Sequence, residues 1–190
     1  MSNTPLKFAV IIASTREGRF ADVIANWFKG EARKRNDVTL DIVDLIDVDL
    51  PERMGGEPTE GLKDYARRID DADAVVVITP EYNHGYPASL KAAVDALKPE
   101  WQAKPVGFVA YGGVSGGLRA VEQLRQVFAE LHAMSVRDAV SFPFAWTQFD
   151  ENGTVKQEEL YAESASALIN QLVWWGVALR DARTKQAYAA

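Results

Sequence analysis

Five short apolar runs, each followed by a stretch with helical spacing, limit what this chain can fold into more than any other feature of it. Residues 74–79 (AVVVIT) are an unbroken β-branched run that reads as a strand buried on both faces. Residues 7–13 (KFAVIIA) and 105–111 (PVGFVAY) read the same way, residues 39–43 alternate as a shorter strand, and residues 135–142 hold a fifth. Between them the period changes. Ala21, Ile24, Ala25, Phe28 and Ala32 share one helical face, as do Leu62, Tyr65, Ala66 and Ile69. Leu90, Ala93, Val94 and Leu97 mark a helix over 87–98, and Leu118, Val121, Leu124, Val127, Phe128 and Leu131 mark another. Residues 144–154 read as loop, and residues 158–179 close the chain as a helix whose apolar side includes Leu160, Leu168, Leu172, Trp175 and Leu179. Strand alternating with helix is the pattern of a parallel sheet covered on both faces through right-handed crossovers. The expectation is a single α/β domain over residues 1–190, three layers thick, with five parallel strands in the order 2-1-3-4-5.

Composition excludes several chemistries. The chain has no cysteine, so disulfides, thiol catalysis and cysteine-bound metals are out, and any redox activity belongs to a bound cofactor. Two histidines, His84 and His132, are too few for a typical zinc site, and no metal is expected. A net charge of -6 argues against nucleic acid and against an anionic membrane surface as partners. Residues 1–6 lack the pattern of a signal peptide and no apolar run reaches membrane-spanning length, so a cytoplasmic protein is expected. Residues 44–61 have no clear period and, with six acidic residues, read as a long surface loop flanking a site.

In such a sheet the loops after strands 1, 3 and 4 emerge side by side. Residues 14–20 (STREGRF) bring two hydroxyls, two guanidinium groups and a glycine to a helix N-terminus, which suits a phosphate monoester and equally suits a solvated loop. Neither a P-loop nor a G-x-G-x-x-G follows, which favours a cofactor with one phosphate over a nucleoside triphosphate or a dinucleotide. Residues 80–86 (PEYNHGY) set Tyr82, Asn83, His84 and Tyr86 where a flat heteroaromatic ring could stack, or where the tyrosines pack their own helix. Residues 112–117 (GGVSGG) imply close backbone approach to a ligand, or turns alone.

These three segments together resemble the NADPH-dependent FMN reductase family, which also includes quinone, azo-dye and chromate reductases. The resemblance rests on S-T-R-x-G-R at 14–19, P-E-Y-N-H-G-Y-P at 80–87 and Y-G-G-V-S-G-G at 111–117, and it extends over roughly residues 7–142. Ala13 departs from it, standing where the family often has glycine. The resemblance implies a flavodoxin-like fold that binds FMN. The phosphate would be held by Ser14, Arg16, Arg19 and the backbone near Phe20 and Ala21. Pro80, Glu81, Tyr82 and Asn83 would run along the isoalloxazine, and Gly112, Gly113, Ser115 and Gly116 would meet its polar edge. It implies hydride transfer from NADPH or NADH to FMN N5, then on to a quinone, azo, nitro, metal-oxyanion or flavin acceptor by a ping-pong course. No side chain is then catalytic, and His84 becomes a pocket-rim residue. The alternative is an FMN-binding electron carrier or regulatory flavoprotein without nicotinamide turnover. The resemblance also implies a homodimer or homotetramer with residues 90–101 at the interface, unless Trp101 covers the protein's own sheet.

Overall fold

The computed structural model describes residues 4–51 and 56–189. Residues 52–55 of the acidic loop, and residues 1–3 of the stretch read for a signal peptide, lie outside the described residues. Five strands form one parallel sheet in the order β2-β1-β3-β4-β5, as expected. They are β1 (Leu6–Ile12), β2 (Val38–Asp44), β3 (Ala74–Pro80), β4 (Pro105–Tyr111) and β5 (Met134–Phe142). The helices are α1 (Ala21–Arg33), α2 (Glu60–Asp70), α3 (Ala88–Asp95), α4 (Leu118–Glu130), α5 (Ala145–Gln148) and α6 (Glu158–Lys185).

Strand pleating sorts the core into two layers. Phe8, Val10 and Ile12 of β1, with Val76 and Ile78 of β3, face α1 and α6. Ala9 and Ile11, with Val75 and Val77, face α2, α3 and α4. Both faces are therefore sealed, and this is why β3 and β4 are buried along their whole length. Each large apolar side chain removed from water in this way contributes roughly 1.5–3 kcal/mol.

Three expectations need correction. The buried stripe of α6 is Tyr161, Ala165, Leu168, Ile169, Leu172 and Gly176, whereas Leu160 and Trp175 are exposed. The helix sits where small residues allow close approach, not where its largest rings point. A Cβ on Gly107 would come within 2.6 Å of Leu168 Cδ1, so β4 receives the two leucines of α6 through a missing side chain. Leu118, at the first turn of α4, is likewise exposed. Finally, the region after β5 is not plain loop: it holds α5, followed by an antiparallel bridge between Phe149 and Val155.

Candidate active site

The carboxyl ends of β1, β3 and β4 open into a cleft of about 300 Å³. Arg16, Gly18, Arg19 and Phe20 of the first loop, Pro80, Glu81 and Tyr82 of the second, and Tyr111, Gly112 and Gly113 of the third line it together with Ala145 and Trp146 of α5. The three loops singled out from sequence thus converge, and α5 adds a fourth wall.

The first loop is held rigidly from within. All five donors of Arg19 are taken: Nε and Nη2 reach Asp22 at 3.0 and 2.7 Å, Nη1 reaches the Ser14 carbonyl at 2.7 Å and Asp44 at 2.6 Å, and Nη2 also bonds Asp44. The bond to Asp44 at the end of β2 outweighs burial and holds this guanidinium more firmly protonated than usual. Arg19 lines the cleft with each of its donor hydrogens engaged inside the protein. Its partners include a residue 25 positions away, so nothing in the loop's own sequence could have signalled this.

Arg16 is the opposite case. Among the described residues it has no hydrogen bond or ion pair, and its guanidinium lies 4.2 Å from the centroid of the Tyr82 ring. Beside it Phe20 precedes α1 and gives no side-chain cap, so no capping side chain takes the first-turn N–H groups, of which Val23 N–H reaches back to the Phe20 carbonyl at 3.2 Å. A free guanidinium, an uncapped helix N-terminus and Gly18 at φ 64° with open space around it form an anion cradle. Ser14 is fully buried beneath this cradle, its hydroxyl 2.8 Å from that of Tyr82. Ala21 is buried in the first turn of α1 and contributes backbone only.

The second loop folds back on itself. Tyr82 and Gly85 exchange backbone bonds of 2.8 and 3.0 Å, with Asn83 at φ 50° and His84 at φ 69° between them. Positive φ at both central residues is the signature of a type I′ turn. Asn83 tolerates it best among ordinary residues, whereas His84 is there because its carbonyl accepts from Gln123 Nε2 at 2.9 Å and fixes the turn to α4. Both side chains point to solvent outside the cleft lining, so the structure keeps Tyr82 and separates Asn83 from it.

Glu81 ties the second loop to the third. Its carboxylate accepts from the Arg119 backbone N–H at 3.1 Å and from Arg119 Nη1 at 2.9 Å. Burial works to raise its pKa, but bonds from Ser115 and Arg119 win and hold it below the usual carboxylate range. In the third loop only Gly112 and Gly113 face the cleft. Gly116 presses on the protein itself: a Cβ there would lie 2.3 Å from Ser141 Oγ and 2.8 Å from the Pro143 nitrogen. Gly116 and Ser115 therefore shape the turn into α4 and do not line the cleft. Tyr111, missed from sequence because it ends a strand, lines the cleft, and burial pushes its hydroxyl pKa well up, so it stays a protonated donor. Trp146 was also missed, since no periodicity marks α5.

Among the described residues no cluster of His, Asp or Glu could hold a metal ion. Among the same residues no helix is long and apolar enough to cross a membrane. The residues present fit FMN: one anion cradle of the right charge at one end, and a ring-lined cleft at the other.

Comparison with known proteins agrees with this geometry. The family model for NADPH-dependent FMN reductase matches residues 6–147. An NAD(P)H-dependent FMN reductase of Schizosaccharomyces pombe is 35% identical over 150 residues, covering 72% of this chain and 74% of that one. A quinone reductase of Escherichia coli is 33% identical over 138 residues, covering 68% and 72%. Among solved structures, the flavoenzyme NAD(P)H:(acceptor) oxidoreductase FerB of Paracoccus denitrificans superposes with a TM-score of 0.75 at 23% identity, over 91% of this chain and 98% of that one, which is a likeness of fold. The fold and cleft define a flavodoxin-like oxidoreductase. The chain belongs to the NADPH-dependent FMN reductase family, whose activity draws on FMN and a nicotinamide donor.

Proposed function

We propose that this chain is an FMN-dependent NAD(P)H oxidoreductase whose flavin sits in the cleft between the 14–20 loop and α5. Bound FMN would supply the redox centre, taking hydride from the nicotinamide and passing electrons to a small-molecule acceptor in alternating half-reactions. The chain's own residues bind and orient. Arg16 and the first turn of α1 take the phosphate, while Arg19, Asp22 and Asp44 keep the loop in shape for it. Ser14 and Tyr111 support Tyr82, and Gly112 and Gly113 leave room for a ring edge. No side chain acts as nucleophile or metal ligand in this reading.

Quinones head the proposed acceptors, since relatives bear that name; azo, nitro, metal-oxyanion and flavin acceptors follow in this proposal. We extend the reading to one domain over residues 1–190, supported by two core layers sharing one sheet. It also extends to a cytoplasmic homodimer or homotetramer. Val114 and Leu118, exposed apolar residues, support a self-contact near the cleft, and the α3 region supplies none of its buried apolar residues to it. Trp101 in particular is fully buried, its Nε1 donating to the Val94 carbonyl at 3.1 Å.

The single observation that carries the reading is the unpaired Arg16 beside an uncapped helix N-terminus. Replacing Arg16 by Ala should weaken FMN binding by about tenfold to thirtyfold, whereas Arg33→Ala, on an exposed face, should leave it within about twofold. Equal affinity of both variants for FMN, followed by flavin fluorescence during titration of apoprotein, would refute the phosphate assignment.

A further inference from the structure

We infer that Trp146, braced by Phe144, is the specificity-determining wall of the cleft and takes flat aromatic electron acceptors by stacking. This inference rests on the flavin-enzyme reading above. Three independent features converge on α5.

The first is exposure where exposure is unfavourable. Trp146 is 63% and Phe144 47% exposed, and the two rings meet edge to face with centroids 6.1 Å apart. A rigid pair of large rings left in water beside a ligand cleft is the composition of a recognition surface and not of a core.

The second is anchoring. Phe144 N–H donates to the Gly113 carbonyl at 2.9 Å and Ala145 N–H to the Gly112 carbonyl at 3.2 Å, so α5 is tied to the loop that lines the cleft. Its far end is tied as well: Gln148 Nε2 donates to the Pro143 carbonyl at 2.9 Å, and Lys156 Nζ donates to the Thr147 carbonyl at 2.8 Å. Ala145 is buried and Phe149 packs edge-on against Phe20 at 5.7 Å, which fixes the helix below the indole. The indole therefore stands on a rigid base, and little entropy is lost when a ring stacks on it.

The third is strain. Phe144 adopts φ 45°, a left-handed conformation that is costly for an aromatic residue, and it does so at the start of this helix. Strain of this kind persists where the surrounding bonds over-determine it, and it gathers at ligand sites.

Tyr82 and the Arg16 guanidinium line the same cleft as the indole. A flat acceptor would thus meet an aromatic wall on the α5 side, whereas a compact inorganic oxyanion would gain nothing from it.

The test is equilibrium binding of anthraquinone-2-sulfonate to the oxidised holoenzyme with no nicotinamide present, read from the perturbed flavin absorbance. Trp146→Ala should weaken that binding about tenfold, and Trp146→Phe should restore it to within about threefold, because a ring face remains. FMN affinity should fall by less than probe affinity in both variants. Unchanged probe binding in Trp146→Ala would overturn the inference and leave the flavin reading intact. Failure of the unaltered protein to take up FMN would overturn both. Loss of probe binding together with a changed sedimentation coefficient would also overturn it, since the indole would then belong to an interface between copies.

Discussion

The two ends of the sheet handle charge in opposite ways. At the amino ends of the strands the most buried cations have partners. Lys104, only 3% exposed, donates to the Asp70 carbonyl at 2.8 Å, Arg180 reaches Asp73 at 3.3 Å, and Arg183 donates to the Ala103 carbonyl. Asp73 also accepts from the Lys7 backbone N–H at 2.9 Å, which stitches β1 to the turn before β3. At the carboxyl ends Arg19 and Glu81 are just as fully partnered, but Arg16 is left open and α1 is left uncapped. The lesson is that the site is not a loose region. Its frame is as firmly bonded as the opposite end, and only the groups that would meet a ligand are spared.

The sharpest way to break that comparison is Gly117→Ala. Gly117 has φ 92°, and a Cβ would lie 2.6 Å from Ala110 Cβ and 2.8 Å from the Tyr111 nitrogen. Left-handed strain and overpacking against backbone add, so urea denaturation should show a loss of about 3–5 kcal/mol. A variant as stable as the parent would mean that the site frame yields easily.

Asp73→Ala comes next. It removes the acceptor for a backbone donor and an arginine in a carboxylate that is 15% exposed, for an expected loss of about 2 kcal/mol. FMN affinity should not change with it. A parallel loss of FMN affinity would show that the two ends of the sheet are energetically coupled.

A pH dependence tests the same end of the sheet. Burial lowers the Lys104 ammonium from its ordinary 10.5 to about 8, with the charge of Arg183 acting in the same direction. Between these values the unfolded chain binds the proton and the folded one does not, so this group makes stability rise with pH from about 8 to 10.5. Lys104→Met should flatten that rise relative to the parent and should cost nothing, or stabilise slightly, near pH 7. An unaltered pH difference would locate the effect on another group.

The sheet was legible because burial on both faces leaves a plain trace: β4 reads PVGFVAY without a polar residue. The convergence of three loops was legible because the order of the strands places them together. Other features were not. The phase of α6 was obscured because its contacts are set by Gly107 and Gly176, residues with no hydrophobic signal, while Trp174 and Trp175 point outward. The ties of Arg19 to Asp44 were hidden because an arginine reads alike whatever acceptor it meets. The left-handed turn at Asn83 was not legible either, because an asparagine in a motif reads alike whether its backbone or its side chain is what matters. Local pattern reports which elements form, and it reports poorly which donor is already spent.

The turn at Asn83-His84 has a kinetic consequence. A loop already closed on itself by two backbone bonds, and fastened to α4 through Gln123, arrives at a ligand with its conformational freedom largely gone. Little rearrangement then separates encounter from the final complex. Differences in flavin affinity among variants of this cleft should therefore reside in how long the flavin stays and not in how fast it enters.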